Sequence, residues 1–137
     1  MQRQKFVLIF LGLLMAATLS GCKPDLVPAN PGGWAAYCDS DDQNNLKIHV
    51  KNQGNADAPA STTLVEFFLP GGVVQPVQLT TPPIPKGQTV TVGTVLIPTT
   101  PVNCFDPDCD FNITVDSKNR VEESKENNNK VKGTCIG

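Results

Sequence analysis

The stretch Leu46-Lys47-Ile48-His49-Val50-Lys51 sets apolar and polar residues in strict alternation. That is the period of a strand with one buried face, and Asn52-Gln53-Gly54-Asn55 behind it supplies the residue types that turns need. Thr62–Leu69, Val73–Leu79, Thr89–Ile97, Phe111–Val115 and Lys130–Ile136 read as further strands, and Leu26-Val27 as a short first one. Pro-Gly, Pro-Pro and Asp/Asn-rich segments separate them. Valine and threonine carry most of these runs, as suits a pleated surface. No segment repeats its apolar residues with a helical period. Short strands at this spacing predict an all-β sandwich or barrel, and the chain length suits a single sandwich of about seven strands.

The N-terminal end follows a different rule. Met1–Lys5 is charged and Phe6–Leu19 is apolar throughout apart from Gly12 and Thr18, shorter than the ~20 residues that span a bilayer core. The run ends in Leu19-Ser20-Gly21-Cys22, which resembles the lipobox of bacterial lipoprotein precursors. That resemblance implies cleavage before Cys22, a diacylglyceryl thioether on its sulfur and an acyl chain on its nitrogen; several acyl chains anchor stably where one does not. Lys23, rather than Asp, in the second mature position resembles an outer-membrane address. The expected organisation is a signal peptide over 1–21, a lipidated tether over 22–37 rich in Pro and Gly, and one β domain over 38–137. Membrane lipid is thus the first expected partner.

Removing the leader leaves nine Lys and Arg against thirteen Asp and Glu, a net charge of −4. Nucleic acid is excluded as a partner on that balance, because phosphate binding needs clustered cations. Catalytic chemistry is sparse. The one histidine, His49, falls on the polar face of its strand with no orienting carboxylate nearby in sequence, and no Gly-x-Ser-x-Gly occurs. Glu122, Glu123 and Glu126 could pair as glycosidase carboxylates, but Trp34 and Tyr37 both lie near the tether, away from any such site. The chain reads as a non-enzyme.

Reserving Cys22 for lipid leaves Cys38, Cys104, Cys109 and Cys135 in an oxidising compartment, an even number without a Cys-x-x-Cys metal pair. If Asp116 and Asn128 flank the last hairpin loop, Val115 faces Asn129, Ile113 faces Val131, Phe111 faces Gly133 and Cys109 faces Cys135. This register favours Cys109 bridged to Cys135, and so Cys38 to Cys104. The rival pairing, Cys104 with Cys109 and Cys38 with Cys135, stays open because alternating strands bring all four cysteines to one end. Asp39, Asp41, Asp106, Asp108 and Asp110 crowd that end too. Their spacing at 106, 108 and 110 is similar to the start of a calcium loop, but Phe111 and Ser117 stand where such a loop needs glycine and a bidentate glutamate. They are weak candidates for Ca²⁺, and no cofactor is otherwise expected. The Asn127-Asn128-Asn129 run at the other end is expected to satisfy backbone groups at a turn.

Lys51-Asn52-Gln53-Gly54 after a strand, Ile113-Thr114-Val115-Asp116, and the ending Val121-x-Glu123-Ser124-x-Glu126-x-Asn128-Asn129 together resemble the CARDB family, the cell-adhesion-related domain of bacteria. The likeness runs from Leu46 to Cys135. It implies an immunoglobulin-like or fibronectin-like sandwich used as an extracellular interaction or spacer module, with no catalytic residues. The expected function is a lipid-anchored binding, adhesion or structural module at the bacterial envelope, with a protein or polysaccharide partner. The alternative is a calcium-dependent adhesion or carbohydrate-binding module that uses the acidic end.

Overall fold

The computed structural model describes residues 21–32 and 36–137. Residues 1–20 of the expected leader, and Trp34, lie outside the described residues. Seven strands form: β1 (Leu26–Pro28), β2 (Asn45–Asn52), β3 (Ser61–Leu69), β4 (Val73–Thr81), β5 (Thr89–Leu96), β6 (Cys109–Thr114) and β7 (Lys130–Cys135). They build two antiparallel sheets, ordered β1-β2-β5 and β4-β3-β6-β7. Among the described residues no helix is long and apolar enough to cross a membrane.

Alternation in the sequence becomes alternation in space. Leu46, Ile48 and Val50 of β2, Val65 and Phe67 of β3, and Phe111 and Ile113 of β6 meet between the sheets with essentially no exposure. Phe67 and Phe111 lie directly opposite in the β3–β6 ladder, and their rings are tilted with centroids 6.0 Å apart, a favourable aromatic geometry. The β6–β7 register is the one the sequence implies, with Cys109 opposite Cys135, Phe111 opposite Gly133 and Ile113 opposite Val131. A Cβ built on Gly133 would overlap the Phe111 ring, so the missing side chain is what lets the phenylalanine lie flat on β7.

The favoured disulfide pairing is overturned although its register holds. The bridges are Cys38–Cys135 and Cys104–Cys109, with Cα atoms 5.2 and 4.9 Å apart. Side chains directly opposite in a ladder stand parallel with Cβ atoms about 4.5–5.5 Å apart, wider than the ~3.8 Å a disulfide prefers. Each inward cysteine therefore finds a partner outside the ladder. Residues before Cys38 run along the open edge of β7, where the Thr134 amide donates to the Ala36 carbonyl, and this carries Cys38 to Cys135. Cys104 arrives from the β5–β6 loop, which is closed by its own amide donating to the Pro98 carbonyl.

A second correction concerns the tether. Lys23–Pro28 is part of the domain: Asp25 is 5% exposed, Leu26 is wholly buried, and β1 pairs with the end of β2. Two poles result. Cys22, the β2–β3 and β4–β5 connections and the 115–129 loop occupy one; the four bridged cysteines occupy the other.

The two bridges close loops of very different length, with sequence separations of 97 and 5. Chain-entropy scaling gives about 4.7 kcal/mol for the long loop and about 2 kcal/mol for the short one. Urea unfolding of a Cys38→Ala/Cys135→Ala protein should accordingly show roughly twice the loss seen for Cys104→Ala/Cys109→Ala. Non-reducing peptide maps should yield a fragment joining Cys38 to Cys135.

Candidate functional site

The densest polar construction lies around residues 23–26. Asn52, at the end of β2, is fully buried and uses every hydrogen-bonding position of its amide. Its Oδ1 accepts from the Asp25 amide (3.2 Å) and the Gly54 amide (3.0 Å). Its Nδ2 donates to the Ala56 carbonyl (2.8 Å) and the Ile84 carbonyl (2.9 Å). Gly54 passes so close to the first segment that a Cβ there would overlap the backbone of Lys23, Pro24 and Asp25.

The 115–129 loop closes on the same segment from the other side. Asp116 adopts a left-handed φ of 44°, which a short polar side chain tolerates, and its carboxylate accepts the Arg120 and Val121 amides at 3.0 and 2.9 Å. This turn drives Val121 into the core. Glu123 then reaches across to accept the Leu26 amide and the Asn129 side-chain amide, while the Ser124 amide donates to the Pro24 carbonyl. Glu126 accepts the Glu123 amide at 2.8 Å, and Asn128 donates to Asp25 at 2.8 Å. The side chains of Asn128 and Asn129 thus hold carboxylates, not the backbone groups expected of them.

Three acids meet here. Asp116, Glu123 and Glu126 each place an oxygen within 4.8 Å of the others, and the first two are buried. Burial pushes the Glu123 carboxyl above the ordinary glutamate value, helped by the charges of Glu126 and Asp116 and opposed by its hydrogen bonds from Leu26 and Asn129. The Oδ1 atoms of Asn128 and Asn129 are buried without a partner, because their amide nitrogens are committed to carboxylates. A cleft of about 350 Å³ lined by Gly21, Lys23, Asn55, Glu123 and Ser124 opens beside this cluster. Three converging carboxylates are the kind of oxygen donors that a hard cation takes.

The acids singled out from the sequence lie at the opposite pole, and the structure does not gather them. Asp39 faces His49, with Oδ2 2.7 Å from Nε2. Asp41 caps its own turn, and the Asn45 backbone amide above all holds its carboxyl below the usual value. Asp110 is held low chiefly by the Thr134 hydroxyl and then by Lys132. Asp108 accepts the Gly137 amide, and Asp106 precedes the cis Pro107. Cys22 is exposed and free, while Cys38, Cys104, Cys109 and Cys135 are all bridged.

His49 has partners that the sequence hid. Besides Asp39, its Nδ1 lies 3.0 Å from the Thr91 hydroxyl across the β2–β5 ladder. A bulge between Ile48 and His49 shifts that ladder by one residue and brings Thr91 into reach. The imidazole thus bridges the Thr91 hydroxyl and the Asp39 carboxylate on the outward face of a sheet, with Thr91 exposed.

The CARDB family model matches residues 23–133, most of the chain. The chain belongs to the CARDB family. Two solved structures share the fold at low identity. One is the CARDB domain of a Pyrococcus furiosus protein in complex with di-metal ions, 18% identical with a TM-score of 0.54, the match covering 85% of this chain and 96% of that one. The other is the 272–376 domain of a Methanosarcina acetivorans protein described as a cell surface protein, 21% identical with a TM-score of 0.58, covering 83% and 91%. No curated protein matches. The present CARDB domain is thus a surface-protein sandwich module whose family motifs have structural work: the first and last of the three grip residues 24–26.

Glu123 supplies a pH test. A carboxyl raised in the folded state contributes stability that is fully present below its unfolded value and is lost as pH rises through the folded one. Glu123→Gln keeps an acceptor for Leu26 and can donate to Asn129 once that amide turns over, so it should fold. The margin by which wild type exceeds this variant in Tm should shrink as pH rises from ~4.5 to neutrality.

Proposed function

We propose that this CARDB domain is a lipid-anchored module that presents a binding or structural surface outside the cytoplasm, at the bacterial envelope. The observation that carries this reading is the division of the cysteines. Four are bridged, and the fifth, Cys22, is free, exposed and placed directly behind Leu19-Ser20-Gly21. Two bridges favour an oxidising compartment. Lys23 in the second mature position favours the outer membrane. The partner is a protein or polysaccharide. The His49 relay supports no catalytic role, since it stands on an outward strand face rather than in a cleft that could hold a substrate and exclude water. Cys22→Ser should move the protein from the membrane fraction to the soluble one. An unmodified Cys22 in the mass spectrum of envelope-extracted protein would overturn the anchor.

A second reading has its own support: the acidic trio together with the two unpartnered asparagine oxygens. The Pyrococcus domain, crystallised with di-metal ions, shares this fold. In this reading Asp116, Glu123 and Glu126 hold a divalent cation, Ca²⁺ being the hard cation best suited to such oxygens. A cation there neutralises carboxylates that otherwise repel one another under burial. At a hundredfold excess over Kd, calcium should raise Tm by roughly 10 °C relative to EDTA. The shift should vanish in Glu126→Gln, which keeps the acceptor for the Glu123 amide. Equal melts in calcium and EDTA would dismiss the reading.

A further inference from the structure

We infer that the pole bearing Cys22 lies flat against an anionic lipid surface and that the disulfide-bridged pole points away from it. The inference rests on the lipid-anchor reading above, and two independent observations carry it beyond that reading.

The first is the absence of a spacer. Lys23 follows Cys22 directly, and its carbonyl already accepts the Asn55 amide at 3.0 Å. Pro24 is buried, and its carbonyl is held by Ser124. One peptide unit, about 3.8 Å between Cα atoms, therefore separates the acylated residue from the folded domain. The strands that set the distance between the poles are eight or nine residues long in β2–β5, about 25–30 Å. So short a link cannot lift the domain clear of a headgroup layer that is itself about 5–8 Å deep. The loops beside Cys22 must enter it or rest on it.

The second is the distribution of charge. At the bridged pole stand Asp39, Asp41, Asp42, Asp106, Asp108 and Asp110, with only Lys47 and Lys132 nearby. At the Cys22 pole stand Lys23, Lys86, Lys118, Arg120, Lys125 and Lys130. The exposed acids there are Asp57, Glu122 and Glu126, since Asp25, Asp116 and Glu123 are buried. Surface cations thus outnumber surface acids at the anchored pole, in a domain that is acidic overall. Anionic headgroups attract that pole and repel the other. Anchor position and charge asymmetry select the same orientation.

Amine-reactive footprinting of the acylated full chain in mixed phosphatidylethanolamine and phosphatidylglycerol vesicles tests this. Cys22→Ser protein in solution gives the reference rates. Lys86, Lys118 and Lys125 should label about fivefold more slowly in the anchored protein, with Lys47 and Lys132 unchanged. A flexible Gly/Ser segment inserted between Cys22 and Lys23 should return the slowed lysines toward their solution rates. Acylated Cys22 with even labelling at both poles, or with Lys47 and Lys132 slowed instead, overturns the docking and leaves the anchor standing. An unmodified Cys22 removes the anchor and the docking with it.

Discussion

The carboxylate of Glu123, buried and accepting the Leu26 amide, is the contact on which the Cys22 end of the sandwich depends. β1 has three residues and a single ladder partner, too little pairing to hold a chain segment in place by itself. Its entry is fixed from one side by Asn52 and Gly54 and from the other by Glu123 and Ser124. Backbone groups that would otherwise be buried without partners are all supplied in this way, and each orphaned donor would cost about 1–3 kcal/mol. A charged acceptor makes the stronger bond, and its burial is what raises the Glu123 carboxyl.

Because the first segment is gripped so early, the Cys22 end and the motif-bearing end of the domain are one place. The opposite pole is organised differently. There the covalent bridges replace the hydrogen-bonded grip: Cys38–Cys135 ties the segment before β2 to the last strand, and Cys104–Cys109 closes the β5–β6 loop on itself. The aspartates around the bridges serve local turns and neighbouring side chains, as Asp41 does for Asn45 and Asp110 for Thr134. Acids that each have a local partner remain apart. Acids drawn inward by a loop that closes on the core, as Asp116 and Glu123 are, come together.

In the lipid-anchored module proposed above, this arrangement would separate attachment from presentation. The pole that receives the chain from Cys22 is mixed in charge with more exposed cations than exposed acids, and the pole that carries the bridges is acidic. The outer sheet faces between them are threonine-rich strand surfaces, one of which carries the His49 relay to Asp39 and Thr91. A sandwich of this kind suits a surface module, because an ordered face can bind without the ordering cost that a flexible segment would bring.

Strand positions, the β6–β7 register and the Phe111–Gly133 complementarity were all legible in the sequence, because alternation with a period of two is a local property and one face must be buried. The family motif was legible as well, since its residues are contiguous. Its purpose was not: Glu123 and Asn128 act on Leu26 and Asp25, about a hundred residues earlier, and only folding brings them together. The choice between the two disulfide pairings escaped for a related reason, because register places α-carbons while a bridge depends on where side chains from loops arrive. His49 acquired Thr91 through a one-residue bulge that no pattern announces. Periodicity within a strand is written locally in side-chain hydrophobicity; the contacts between loops at one pole depend on chain paths that only the packed sheets define.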